Sequence, residues 1–119
     1  MNSYRDLIVW QKSILLVKEV YRVTQLFPKT EQYGLSDQLR RAAVSVPSNI
    51  AEGFSRKSVK ENAQFISIAF GSTSEIATQL LLAQELQMVS VHELESGLAL
   101  LVEVRKMLNA MLSRLKSNG

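Results

Sequence analysis

Residues 40–57, RRAAVSVPSNIAEGFSRK, decide how the chain is read. Arg40 and Arg41 open an Ala/Val-rich run that carries Pro47 in its middle and ends at Asn49-Ile50-Ala51-Glu52-Gly53, before a basic turn at Arg56-Lys57. A proline inside a helix loses one backbone hydrogen bond and costs about 3 kcal/mol. Asn and Glu add to that if they are buried without partners. The other residues favour helix, so the segment reads as one helix kinked at Pro47 and closed by Gly53, a residue suited to a C-terminal cap. Such concentrated local cost marks an architectural contact or a recognition surface.

Upstream, 13 of the 21 residues from Leu7 to Phe27 are apolar or aromatic. Trp10, Ile14, Val17 and Tyr21 form one stripe at helical spacing, and Leu16, Val20, Val23 and Phe27 form a second beside it. One stripe suffices for a surface helix, whereas two predict burial on both sides. A small bundle covers the extra face only against another subunit, so the pattern predicts oligomerisation. Pro28 ends this helix and Pro28 to Gly34 is a loop. The second helix starts near Leu35 or Ser36, with Asp37 in its first turn, where a negative charge suits the helix dipole.

Downstream, Ser58 followed by Glu61 is a capping box that starts a third helix reaching Gln87 or Met88. Ser90 with Glu93 repeats the pattern and starts a fourth, reaching about Leu115, with Ser117-Asn118-Gly119 expected to fray. The chain is therefore expected to be all-α, an antiparallel up-and-down four-helix bundle in a single domain over residues 1–119. On the third helix Ser67, Gly71, Ser74 and Thr78 make a stripe of small residues. Gly71 in mid-helix costs about 1 kcal/mol relative to Ala. The stripe is expected to seat the kinked second helix, its hydroxyls meeting Asn49 or the carbonyl freed by Pro47. A ligand groove is the alternative.

The chain has 119 residues, 46% hydrophobic and 21% charged, and no cysteine, which excludes disulfides, thiolate metal sites and a cysteine nucleophile. The N-terminus lacks a basic region followed by an apolar core, and no uninterrupted apolar run approaches the roughly 18 residues of a membrane span. A cytoplasmic protein without membrane attachment is expected. Net charge is +3, unevenly spread. Residues 40–60 carry five cations and one acid, residues 61–104 six glutamates and no cation, and residues 105–119 four cations and no acid. This asymmetry suits either an acidic partner, nucleic acid above all, or head-to-tail packing of subunits.

No catalytic constellation is visible, and no cofactor or metal is expected. His92, the only histidine, has no second ligand at metal spacing and no evident serine to serve. The basic positions remain. Arg40 and Arg41 follow Asp37 by three and four residues, the spacing of helix-surface ion pairs. Glu52 and Arg56 share that spacing, although Gly53 is expected to break the helix between them. Arg56, Lys57 and Lys60 crowd one turn with only Glu61 to offset them, and such turns repeated around an oligomer would make a phosphate-binding surface.

Asp6-Leu7-Ile8-Val9-Trp10-Gln11-Lys12, Phe27-Pro28, Tyr33-Gly34-Leu35, Gln38-Leu39-Arg40-Arg41-Ala42, Ser48-Asn49-Ile50-Ala51-Glu52-Gly53 and Gly71-Ser72 closely resemble the bacterial four helix bundle protein family. That family was first recognised as proteins encoded within intervening sequences of 23S ribosomal RNA. The resemblance covers residues 4 to about 115 and implies a ring-like homopentamer without enzymatic activity. It also implies a fold similar to the accessory protein of diversity-generating retroelements, a pentamer that binds nucleic acid and a reverse transcriptase. Arg40, Arg41, Asn49 and Glu52 match the family pattern. Phe70 departs from it, standing where the family usually has arginine.

Two functions are therefore expected to compete. One is a homo-oligomeric bundle that binds structured RNA or DNA through Arg40, Arg41, Arg56, Lys57 and Lys60. The other is a protein–protein adaptor that docks a partner enzyme such as a reverse transcriptase. Trp10, Tyr21, Pro47, Asn49, Glu52 and Gly71 are the expected structural or subunit contacts in either case.

Overall fold

The computed structural model describes residues 3–118. Four helices account for most of them: α1 (Ile8–Thr24), α2 (Leu35–Phe54), α3 (Val59–Glu85) and α4 (Val91–Asn118). Short 3-10 turns at Tyr4–Asp6 and Lys29–Glu31 precede α1 and α2. Helices adjacent in sequence pack side by side and α4 closes against α1, giving an antiparallel bundle of 45 × 24 × 21 Å.

The helix ends follow local chemistry. α1 stops at Thr24, three residues before the expected Phe27, because the amides of Leu26 and Phe27 bond at i−3 to Val23 and Thr24. At the start of α2 the Glu31 carboxylate accepts from the Leu35 amide at 3.2 Å. Ser58 caps α3 by accepting from the Glu61 amide at 3.0 Å. Ser90 and Glu93 form the full reciprocal box, each side chain accepting from the other's amide at 3.2 and 2.9 Å. The α3 C-terminus is a Schellman turn: Met88 N–H donates to Ala83 O and Gln87 N–H to Gln84 O, with Gln87 at φ 60°. The fourth helix runs on to Asn118, past the expected Leu115; Gly119 lies outside the described residues.

The core is built from one of the two α1 stripes. Leu16, Val20, Val23 and Phe27 are buried against Leu39, Val46 and Ile50 of α2, Ile66, Ile76 and Leu80 of α3, and Leu94, Val104 and Leu108 of α4. The other stripe stays outside. Trp10, Ile14 and Val17 are half-buried and, with Val44, Pro47 and Ala51, line an open groove of about 390 Å³ between α1 and α2. Tyr4 meets the Trp10 ring edge-on at its mouth, 5.3 Å between centroids.

Three local expectations are corrected. Gly53 does not end α2, which continues through Phe54, and its φ is not positive. Gly53 is needed for close approach instead, since a Cβ there would stand 3.0 Å from Asn62 Oδ1 and 3.1 Å from Phe65 Cβ on α3. The stripe on α3 does not seat α2: Ser67, Gly71, Ser74 and Thr78 are exposed, and a Cβ on Gly71 would meet nothing within 4 Å. Asn49 turns back on its own helix, donating to the carbonyl and hydroxyl of Ser45, and Ser45 Oγ in turn shares a 2.8 Å hydrogen bond with Ser72 Oγ. The α2–α3 contact thus falls on Ser72, off the expected stripe.

By length and composition alone α3 would reach across a bilayer, although, as expected, its apolar residues do not run uninterrupted. Its packing against both α2 and α4, with Glu75 in mid-helix, is that of a bundle helix.

Candidate nucleic-acid interface

Alternating helix direction gathers the α1 start, the α2–α3 turn and the α4 end at one pole of the bundle. Val59, Lys60, Ala63 and Ile68 of α3 face Leu115 and Lys116 of α4 across an apolar groove of about 620 Å³. Lys57, Lys60, Arg114 and Lys116 are exposed there, and among the described residues none of the four makes an ion pair. Exposed cations without an ion-pair partner are free to attract phosphate.

Arg56 sits in the same turn but is differently employed. Because α2 runs through Gly53, the Glu52–Arg56 pair forms, and the same guanidinium lies 3.9 Å from Glu61 and over the Phe65 ring. Arg56 therefore ties the end of α2 to the start of α3. Glu52 is exposed, not buried, and its role is this tether.

Arg40 and Arg41 are not brought to the basic pole. They lie about 22–24 Å from Arg56 along α2, at 1.5 Å per residue. Arg41 pairs with Asp37 at 3.0 Å, as the spacing predicts. Arg40 does not: its Nε donates to Thr24 Oγ1 at 2.8 Å and its guanidinium lies over the exposed Tyr21 ring, 4.6 Å from the centroid. Arg40 and Tyr21 thus join α2 to α1 at the opposite pole, where Glu85, Glu93 and Glu95 also stand. The five cations proposed from sequence form two separate groups.

Lys116 and Arg114 were missing from the sequence-derived site, although the cationic tail was plain. The signal was topological, because an antiparallel fourth helix must end beside the start of the third. His92 is a surface residue whose Nδ1 lies 3.6 Å from Glu95.

The family model for the 23S rRNA-intervening sequence protein matches residues 5–110. The chain belongs to that family. A crystal structure of a protein of unknown function from the S23 ribosomal protein family of Bacteroides thetaiotaomicron is similar in fold, with a TM-score of 0.81 at 20% identity, covering 88% of this chain and 98% of that one. No curated protein matches. The ring of Phe70 carries the guanidinium of Arg105 from α4, 4.5 Å from the centroid.

Proposed function

We propose that this family member is a non-enzymatic, self-associating cytoplasmic bundle that binds structured RNA or other nucleic acid through its basic pole. The observation that carries the reading is that Lys57, Lys60, Arg114 and Lys116 are exposed at one pole and none of them makes an ion pair among the described residues. Phosphate contacts of this kind give affinity without sequence preference, because no helix at this pole is arranged to read base edges. Arg56 acts by holding the turn in place and Arg40 by joining helices, so neither is a principal phosphate ligand. Charge reversal of Lys57 and Lys116 should abolish binding to a structured RNA in fluorescence anisotropy while the circular dichroism stays native. Unchanged binding in that variant would refute the assignment.

A second reading, an adaptor for a protein partner, is favoured by the open α1–α2 groove of Trp10, Ile14, Val17 and Pro47. It predicts a nuclease-resistant complex that is lost on Trp10→Ala and kept on Lys57→Glu. The homopentamer implied by the family resemblance belongs with the self-association proposed above.

A further inference from the structure

The end of α1, the turn at Lys29–Glu31 and the start of α2 enclose a cavity of about 230 Å³ at the pole opposite the basic turn. Both charged residues that line it, Lys29 and Arg40, are cations, and neither makes an ion pair among the described residues. Glu85, Glu93 and Glu95 share this pole but do not line the cavity. The nearer acids are engaged elsewhere, Glu31 with the Leu35 amide and Asp37 with Arg41.

Arg40 is fixed in advance by its neighbours. Thr24, 4% exposed, donates its hydroxyl proton to the Val20 carbonyl at 2.8 Å, which leaves its lone pairs to accept from Arg40 Nε at 2.8 Å. The Tyr21 ring lies against the same guanidinium. With Nε committed, the two Nη groups make no hydrogen bond among the described residues. A guanidinium held in this way presents a rigid fork of donors suited to an oxyanion.

Ser36 adds an independent observation. It lines the same cavity and is only 6% exposed, yet its hydroxyl makes no hydrogen bond among the described residues. Other helical hydroxyls in this chain donate back along their own helix, Ser13 to Trp10 O, Ser48 to Val44 O and Thr78 to Ser74 O. Ser36 stands in the first turn of α2, where the residues three and four behind it precede the helix. Its amide lacks an intrahelical acceptor for the same reason. A buried hydroxyl and a free amide at the positive end of a helix dipole both suit an anion. Gln25 and Gln32 add two side-chain amides to the wall.

We infer that this cavity binds a small phosphorylated polar molecule, its phosphate held by Arg40, Lys29 and Ser36 and its organic part by Gln25 and Gln32. A phosphate monoester carries about −1.5 to −2 charges at pH 7, which matches the two cations. The volume lies below the roughly 300 Å³ at which drug-sized pockets begin, so the organic part is short. The inference does not rest on the nucleic-acid reading, since no residue of the basic pole takes part.

The test is isothermal titration calorimetry of the native protein with inorganic phosphate, glycerol 3-phosphate and acetate at low ionic strength. Both phosphates should bind saturably, the ester more tightly, and acetate at least about tenfold more weakly. Ser36→Ala should weaken the ester about tenfold, the effect of one charge-assisted hydrogen bond, while the thermal midpoint of the free protein stays unchanged or rises. Lys29→Glu, in an exposed turn, should fold normally and weaken binding further. Lys57→Glu should leave phosphate affinity unchanged, and Ser36→Ala should leave RNA binding unchanged, which separates the two sites. No saturable binding, native affinity in both Ser36→Ala and Lys29→Glu, or loss of phosphate binding in Lys57→Glu would each overturn the site. Acetate binding as tightly as phosphate would overturn the ligand class.

Discussion

Arg105 of α4 lays its guanidinium over Phe70 of α3 and donates from Nη1 to Thr73 Oγ1 at 2.9 Å and Ser74 Oγ at 2.8 Å. One cation thus fastens the outer edges of two long helices through a ring face and two hydroxyls. A double-mutant cycle of Phe70→Leu and Arg105→Met should give a coupling of about 0.5–1 kcal/mol in urea unfolding, the worth of a cation–π contact at a partly exposed site. Zero coupling would mean that the stacking contributes nothing.

The two glycines at the α3 interfaces should respond in opposite directions. Gly53→Ala drives a Cβ to 3.0–3.3 Å from the backbone and side chains of Asn62 and Phe65, and should destabilise by about 1–3 kcal/mol. Gly71→Ala meets nothing within 4 Å in the chain, and measured at monomeric dilution it should stabilise by up to about 1 kcal/mol through helix propensity. Urea midpoints of the two variants check both, and equal shifts would contradict the packing described.

Gln87 holds a left-handed backbone at φ 60° in the turn between α3 and α4. A side chain there carries a strain of about 1–2 kcal/mol that glycine relieves, in part offset by glycine's greater freedom in the unfolded chain. Gln87→Gly should therefore raise stability, by about 0.5–1 kcal/mol, with no change in oligomeric mass. A lower thermal midpoint would contradict the Schellman geometry.

Much of this architecture was legible in the sequence, because capping residues and proline act within a few positions. Ser58, Ser90 and Glu93 mark helix starts by hydrogen bonds to neighbouring amides, and those bonds form. What could not be read depends on partners far along the chain. Both α1 stripes are equally apolar, and only the packing of α2 and α4 selects Leu16, Val20, Val23 and Phe27 for the core. Gly53 has the composition of a helix stop, but its function is set by Asn62 and Phe65 across the α2–α3 interface. Arg40 has an acid at helix spacing, yet Thr24 and the Tyr21 ring hold it instead. Likewise the outward turn of the Gly71 face follows from Ser72, one position away, taking the contact with Ser45.

Within the basic turn, neighbouring cations should differ in their effect on nucleic-acid binding. Lys57 is exposed and makes no ion pair among the described residues, whereas Arg56 is held by Glu52 and Glu61. Lys57→Gln should lower the log–log salt slope by about 0.7–0.9, the share of one phosphate contact. Arg56→Gln should lower it by less than half of that, and Arg41→Gln, at the other pole, by no measurable amount. Equal effects at Lys57 and Arg41 would spread the interface over the whole molecule.

The most direct measurement is fluorescence anisotropy of the nuclease-treated protein with a structured RNA and a matched duplex DNA, titrated at several salt concentrations. The same titrations are run on the Lys57→Glu/Lys116→Glu variant. The account predicts binding of both ligands with a steep salt slope, and loss of both in a variant that keeps its helicity and mass. Absence of binding at low salt, or a variant that binds with an unchanged slope, would contradict it.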